Sequence, residues 1–539
     1  MSIFSIGLSG LNAAQNALNT TSNNISNVYT PGYNREITIL GESKAGDGVR
    51  VNDIQRQFNA YVTEQLNAAS SRASALQTYE TQVSQIDNLL ADSESGLSLL
   101  LQNFFSSIGD LVNAPSDPAA RQGVLGSAEA LSAQFRSFDS YLDDMRSGVD
   151  GQIRDEVKVI NNTASQVAWL NREIALAKAR TGEAPNSLLN QRDQLVAELG
   201  ERVDVRLDVS ETGSYNLSVA NGRPLVAGVQ SYELTTMTAS ADPTRTVVGY
   251  IDAAGNPVEL AEDALAGGSL GGLMEFRSET LDSVQNRIGQ LAVSLAAGFN
   301  AQHSAGLDLN GNPGAEFFAI GEPQLFSNTR NTGTATLDVA YDDFSQLTAS
   351  DYELTVSDAA AGTFSIKRLD SGETVSATLD ASNQLTIGGV VVTVDDPALL
   401  ADGDRFSLQP TRGAAGDFDS LISDSSAIAA GLGAGSGDNE NALALQQLQS
   451  EALVGGSATL NQAYAALVGD VGNRTNIVQV NLSAQEGLTE QLRAVQQSES
   501  GVNLDEEAAN LIRYQQYYQA NAKVIQTATV VIDALLGLR

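Results

Sequence analysis

Two stretches decide the fold, one at each end of the chain. They are MSIFSIGLSGLNAAQNALNTTSNNISNV, residues 1–28, and NLDEEAANLIRYQQYYQANAKVIQTATVVIDALLGLR, residues 503–539. In the first, Phe4, Leu11, Leu18 and Ile25 recur at the heptad step, with Leu8 between them. In the second, Leu504, Leu511, Tyr518, Ile525 and Ile532 recur at the same step, with Ala508, Ala522 and Leu536 at the alternating positions. An apolar residue at every heptad keeps one seam of a helix facing a partner helix. Gln15 and Gln515 interrupt the seams, and such polar breaks cost stability but can fix register. Neither stripe is long or apolar enough to be stable alone in water. A terminal amphipathic helix can simply dock on its own domain. The matched repeat at both ends and the polar outer faces favour another arrangement, in which the two ends pair and the pair packs against copies of itself. Asn503 suits an N-cap, with Glu506 placed to complete a capping box and Asp505, Glu506 and Glu507 at the positive end of the helix dipole.

With 539 residues the chain is too long for one core, so several domains are expected. Lys and Arg total 30 against 65 Asp and Glu, a net charge of −35. That balance argues against nucleic acid or an anionic membrane as a partner. Cysteine is absent, so disulfides, thiolate metal sites and a cysteine nucleophile are impossible. The start of the chain lacks the basic and long apolar regions of a Sec signal peptide, and no stretch is long and apolar enough to span a bilayer. The expected location is the cytosol, or beyond it by a route that does not use that signal.

Helical periodicity returns at Phe58 and continues through Leu66, Val83 and Leu90, then through Leu97, Phe104 and Leu111. Pro115-Ser116-Asp117-Pro118 breaks and restarts it, with Asp117 as the cap and Pro118 in the first turn. The next helix carries Leu131, Phe135, Ile153, Val167 and Ile174, with Gly148 a candidate interruption and Trp169 a packing anchor. From Glu201 the period becomes two. Val203, Val205, Leu207 and Val209 alternate with polar residues as a half-buried strand, and Asn221-Gly222 signals a hairpin. Gly267 to Gly272 reads as a flexible re-entry into helix. Residues 321–420 are strand-rich, with a hairpin at Gly388-Gly389, and Gly431 to Gly437 is a linker. Helix resumes at Asn441.

The run NNISNVYTPGYNR looks like the N-terminal signature of the axial proteins of the bacterial flagellum. Asn23, Asn24, Ile25, Asn27, Thr30, Pro31, Gly32 and Tyr33 carry the match. GVNLDEEAANLIRYQQYYQANAKVIQTA is similar to the C-terminal signature of the same family. NAPSDPAARQGVL, VAWLNREI, APNSLLNQRDQLVAELG and FNAQHSAGLDLNGNPGAEFF are similar to segments of its hook-associated branch, whose long helical region rod and hook proteins lack. The resemblance implies a structural subunit, not an enzyme, at the junction of hook and filament. Its partners would be itself, the hook protein, the next hook-associated protein toward the filament and a cytosolic export chaperone. It would leave the cell unfolded through the flagellar export channel and end outside it. A hook-type axial protein is the alternative, and a hydrolase carried on an inserted β domain is a more remote one.

Nothing catalytic stands out. His303 is the only histidine, and a structural role suits it better than general-base work. Asp308, Asn310 and Asn312 begin like a calcium loop, but Pro313 and Gly314 break the pattern and leave a turn. Asp143-Asp144 and Asp395-Asp396 read as solvated acid pairs. No metal or cofactor is expected.

The expected fold is mainly α with inserted β domains. Residues 1–50 and 500–539 would form a paired, coiled-coil-like inner domain. Residues 51–200, 266–320 and 421–499 would form a discontinuous antiparallel helical bundle. The β-rich parts would be a small region, 201–265, and an outer insertion, 321–420.

Overall fold

The computed structural model describes residues 3–43, 48–91, 96–183, 185–433 and 435–537. Helix α1 (Ile3–Ser26) is followed by an antiparallel hairpin of β1 (Glu36–Glu42) and β2 (Val49–Arg56). Helices α2 (Ala60–Leu90), α3 (Leu97–Asn113), α4 (Pro118–Thr181) and α5 (Asn186–Arg202) come next. After a β region, α6 (Gly268–Phe276) passes through a π-turn, Arg277–Leu281, into α7 (Asp282–Ser304). A second β region separates these from α8 (Glu440–Gln447), α9 (Leu460–Ser500) and α10 (Leu504–Leu536).

The helical layer is built by burying one stripe of each long helix. Val83, Ile86 and Leu90 of α2, Phe104 and Ile108 of α3, Leu131 and Phe135 of α4, Phe276, Leu291 and Phe299 of α6–α7, and Leu467 and Val471 of α9 share one core. Helices from both halves of the sequence are therefore needed to close it. Asp117 caps α4 by accepting from the Ala119 N–H at 2.9 Å, and Gly182 ends it at φ 74°. Gly148 does not interrupt α4, which runs for 64 residues. Gly267 to Gly272 is no loose re-entry either. Gly272 lies so close to α2 that a Cβ there would sit 2.3 Å from the Ala75 carbonyl oxygen, so the glycines serve close helix packing. The helix expected to resume at Asn441 does so in two parts, with α9 restarting at a capping box of Thr459 and Gln462.

The first β region contains a four-stranded meander, Arg206–Val209, Tyr215–Val219, Arg223–Ala227 and Gln230–Ser231, and a three-stranded one, Leu234–Thr238, Thr246–Ile251 and Pro257–Glu259. Its inner residues Leu217, Leu225 and Val226 join the helical core. The strand expected from Val203 starts only at Arg206. Val203 ends α5 and is buried, while Leu207 and Val209 are exposed on an edge strand. Trp169 is 51% exposed on α4 and anchors no core.

The second β region has its own core of Leu354, Val356, Phe364, Val390, Val392, Phe406 and Leu408. Five strands are ordered Gln324–Ser327, Arg405–Gln409, Tyr352–Asp358, Thr363–Arg368 and Thr374–Thr378. Three more are ordered Leu337–Tyr341, Val390–Val394 and Gln384–Ile387.

Candidate assembly interface

Helices α1 and α10 pair antiparallel. Gly7 faces Ile525 and Val524, Gly10 faces Asn521, and Asn24 meets Glu507. The buried face of α1 is a stripe of small residues, Gly7, Gly10, Ala14, Ala17, Thr21 and Asn24, with Ala13 and Thr20 beside it. The steps of three and four make this a heptad seam, displaced from the one drawn through the large residues. Small side chains let α1 sit close to α10 on one side and to the hairpin on the other. Thr38 Oγ1 donates to Thr20 Oγ1 at 2.8 Å, and the Val49 N–H donates to Ser9 Oγ at 3.3 Å.

The large residues of the N-terminal stripe are therefore turned outward. Phe4 and Leu8 are each 43% exposed, and Leu11, Leu18 and Ile25 are half-buried. On α10 the stripe divides. Leu511 and Ile525 are half-buried, whereas Leu504, Tyr518 and Ile532 are exposed. Only Glu507 and Ala528 of α10 are fully buried, although the helix has 33 residues. Ile512, Val530, Val531, Leu535 and Leu536 are all open to solvent.

The motif after α1 is a clasp. The Asn24 amide donates to the Glu36 carbonyl at 2.8 Å and to Glu507 Oε2 at 3.1 Å. Its oxygen accepts from Tyr33 Oη at 2.8 Å and from the Glu36 N–H at 2.9 Å. Arg35 Nε donates to Glu507 Oε1 and Arg35 Nη1 to Glu506 Oε2, both at 2.8 Å, while the Arg35 N–H donates to the Ser500 carbonyl. Burial is the main influence that raises Glu36, with the Asn186 side chain pulling it back down, and burial also raises Tyr33. Glu506 thus answers Arg35. Asn503 caps α10 through the Asp505 and Glu506 N–H groups, and the return bond of a capping box is not made.

The other motif residues shape the turn. Asn27 donates to the Asn23 carbonyl at 2.9 Å, and Thr30 donates to Asn27 Oδ1 at 3.0 Å. Pro31 is exposed, and Gly32 turns the chain at φ 72°. Asn34 then donates to Asn190 Oδ1 at 2.9 Å, and Arg56 pairs with Asp193, which accepts from Tyr215 Oη at 2.7 Å. The terminal layer is thus tied to α5 and through it to the first β region. The pairing of Arg35 with Glu507 is not legible in the sequence, because the two lie at opposite ends of the chain. The small-residue stripe was legible as a second heptad on α1.

The groups with catalytic potential are structural. His303 is fully buried, and burial lowers its pKa. Its Nδ1 lies 2.7 Å from the Ala315 carbonyl, and its Nε2 accepts from the Ala429 N–H at 2.9 Å, which fixes a neutral ring. Asp308 accepts from the Asn310 and Asn312 N–H groups at 2.8 Å, closing a turn. Asp143 pairs with Arg146, and Asp396 caps a short 3-10 turn. Among the described residues no group of three or more metal-ligating side chains converges, and no helix is long and apolar enough to cross a membrane.

A close antiparallel pair of terminal helices, clasped by the motif after α1 and joined to a helical layer with inserted β regions, is the arrangement that the resemblance to flagellar axial proteins implied. Family models agree. Residues 4–34 match the flagella basal body rod protein model, and 496–538 match the C-terminal model of flagellar basal body rod FlgEFG proteins. Residues 83–318 match the helical domain of the flagellar hook-associated protein FlgK, and 326–410 match a D2-like domain of flagellar hook-associated protein 1. The chain is 44% identical over 557 residues to flagellar hook-associated protein 1 of Salmonella typhimurium and 43% identical over 551 residues to that of Escherichia coli, with all of each chain covered. The flagellar hook junction protein FlgK from Burkholderia pseudomallei superposes with a TM-score of 0.75 at 29% identity, covering 80% of this chain and 99% of that one. This chain belongs to the flagellar hook-associated protein 1 (FlgK) family. It is a structural component of the extracellular flagellum at the hook–filament junction, not an enzyme, and it assembles with other axial proteins.

Proposed function

We propose that the paired terminal helices are the surface through which copies polymerise. The observation that carries this is the imbalance on α10, where two residues are buried and a row of large apolar ones is open. Apolar surface of that extent gains free energy when covered. Leu511 and Ile525 hold the pair together, while Phe4, Leu8, Leu504, Tyr518 and Ile532 meet the neighbouring copy. A contact between unlike patches whose rotation does not close grows helically, and this is the growth proposed here. Hook protein lies on one side of the assembly and the next hook-associated protein on the filament side. Before assembly a cytosolic chaperone covers the same apolar residues, and the chain leaves the cell by the flagellar export channel. The terminal layer is the loosest part of the free subunit and orders fully on assembly.

The test is to mix the purified protein with isolated hooks and inspect the ends by electron microscopy. The full chain should cap the distal tip, and Leu8→Glu/Ile532→Glu should not, while its circular dichroism stays unchanged. Normal capping by that variant would move the adhesive surface into the helical layer.

A further inference from the structure

The second β region is joined to the rest of the molecule in an unusual way. Its core is largely its own, and among the described residues Val293 of α7 is the one helical-layer member of it. Ile320 on the outgoing segment packs against both cores, and polar contacts complete the joint. Gln290 donates to the Leu347 carbonyl at 2.6 Å, and Thr411 Oγ1 to the Asn286 carbonyl at 2.9 Å. Gln409 donates to Asp242 Oδ2 at 2.9 Å, and the Thr329 N–H to the Ser240 carbonyl at 2.9 Å. The two connecting segments run side by side, with Phe318 bridged to Ser420 and the Ala319 N–H donating to the Asp419 carbonyl. Adjacent connections and a thin apolar contact are the anatomy of a hinge.

Across this joint runs a chain of buried charges. Asp351, just before the strand Tyr352–Asp358, pairs with Arg412 on the returning segment. Arg412 Nη1 also reaches Asp282 at the start of α7, at 3.1 Å. Asp282 is shared with Arg245 at 2.6 Å, and Arg245 forks onto Glu262 at 2.9 and 2.7 Å. Arg277, completely buried in the π-turn, joins Glu262 at 2.7 Å to Asp150 of α4 at 2.6 Å. Every link alternates in sign. The Arg245 and Arg412 guanidinium groups hold Asp282 low against the opposing effect of its burial. Buried charges of this kind are stable only when each keeps a partner, and removing one partner is far more costly than the net worth of the pair.

We propose that this alternating chain is an ionic latch that sets the orientation of the second β region on the helical layer, with Asp282 as its shared pin. Closed, it holds the two β regions and the helices as one body. Opened at Asp282, it leaves Arg412 with Asp351 on one side and Arg245 with Glu262 on the other. Each side then keeps a paired cation, and the outer region swings as a unit with its own core intact.

The absence of cysteine makes the test direct. Spin labels at Gln122→Cys and Ser371→Cys, both exposed positions, report the distance between α4 and the outer region by pulsed electron resonance. The unaltered latch should give one narrow distribution. Asp282→Asn should add a second, broader population and raise the cleavage rate in residues 410–424 at least tenfold. Arg330→Ala, which removes an exposed rim pair with Glu259, should change neither. An unchanged narrow distribution in Asp282→Asn would overturn the proposal. Should that variant not fold, Arg412→Lys keeps the charge but loses the fork, and the same two distributions decide.

Discussion

Asn24 and Glu507 lie 483 positions apart in the chain and share a hydrogen bond of 3.1 Å. Through it the end of the first helix and the first turn of the last become one structural unit. Arg35 doubles the link by holding the same carboxylate. No buried apolar residue of α1 or α10 belongs to the large apolar core, so the clasp is local in its energetic reach.

Glu507→Ala should therefore loosen the terminal layer without unfolding the protein. A lost buried, charge-assisted bond is worth about 1.5–3 kcal/mol. Amide exchange in the first turns of α10 should quicken by roughly ten- to a hundredfold on that scale. The main thermal transition should stay in place, and a matching fall in the main transition would show that the clasp supports the whole bundle.

Two glycines should answer in opposite directions. A Cβ at Gly10 would meet the Asn521 side chain at 2.1 Å, so Gly10→Leu should pry α1 from α10 and reduce binding to hooks. A Cβ at Gly148, inside α4, would meet nothing within 4 Å. Gly148→Ala should add about 0.5–1 kcal/mol by urea unfolding, because only helix propensity changes.

Asp139 is pushed up to about 6, chiefly by burial and further by Asp143 and Asp417, with Arg146 opposing. Its folded pKa lies above its unfolded one. The fold therefore favours the protonated form, and that contribution is complete below about pH 4 and lost as pH rises through about 6. Asp139→Asn should be more stable than the parent at pH 7.5 by on the order of 1–2 kcal/mol, and no more stable at pH 4. Equal gains at both pH values would mean that the ionised carboxylate is already accommodated.

Arg121 is a buried cation that serves three carbonyl groups rather than an acid. It donates to Pro115 at 2.6 Å, to Ser425 at 2.9 Å and to Ile428 at 2.8 Å. It thereby fixes the segment returning from the second β region onto the start of α4. Arg121→Met leaves those carbonyls unanswered and should cost about 3 kcal/mol, read as a lower urea midpoint. An unchanged midpoint would mean that water replaces the guanidinium.

Much of this architecture could be read from residue order. Periodicity placed the long helices, Asp117-Pro118 marked the start of α4, and the glycine hairpins at Asn221-Gly222 and Gly388-Gly389 lie where the turn chemistry put them, with φ values of 61° and 97°, and 54° and 87°. Local rules misled where packing overruled them. Gly148 and Gly272 are ordinary helix breakers in isolation, yet one stands in a helix long enough to absorb it and the other is needed for a close crossing.

Residue order alone shows that the two ends are matched amphipathic helices and that the −35 chain, free of cysteine, has neither the charge nor the thiols for several classes of chemistry. Those properties are local or compositional, and no contact is needed to read them. Packing in three dimensions settled which face of α1 turns inward. Two neighbours compete for it, and the hairpin and α10 can both approach closely only where Gly7, Gly10, Ala14 and Ala17 leave room. It also decided the clasp of Arg35 with Glu507 and the latch through Asp282, because a charge states its sign in the sequence but its partner is chosen by the fold.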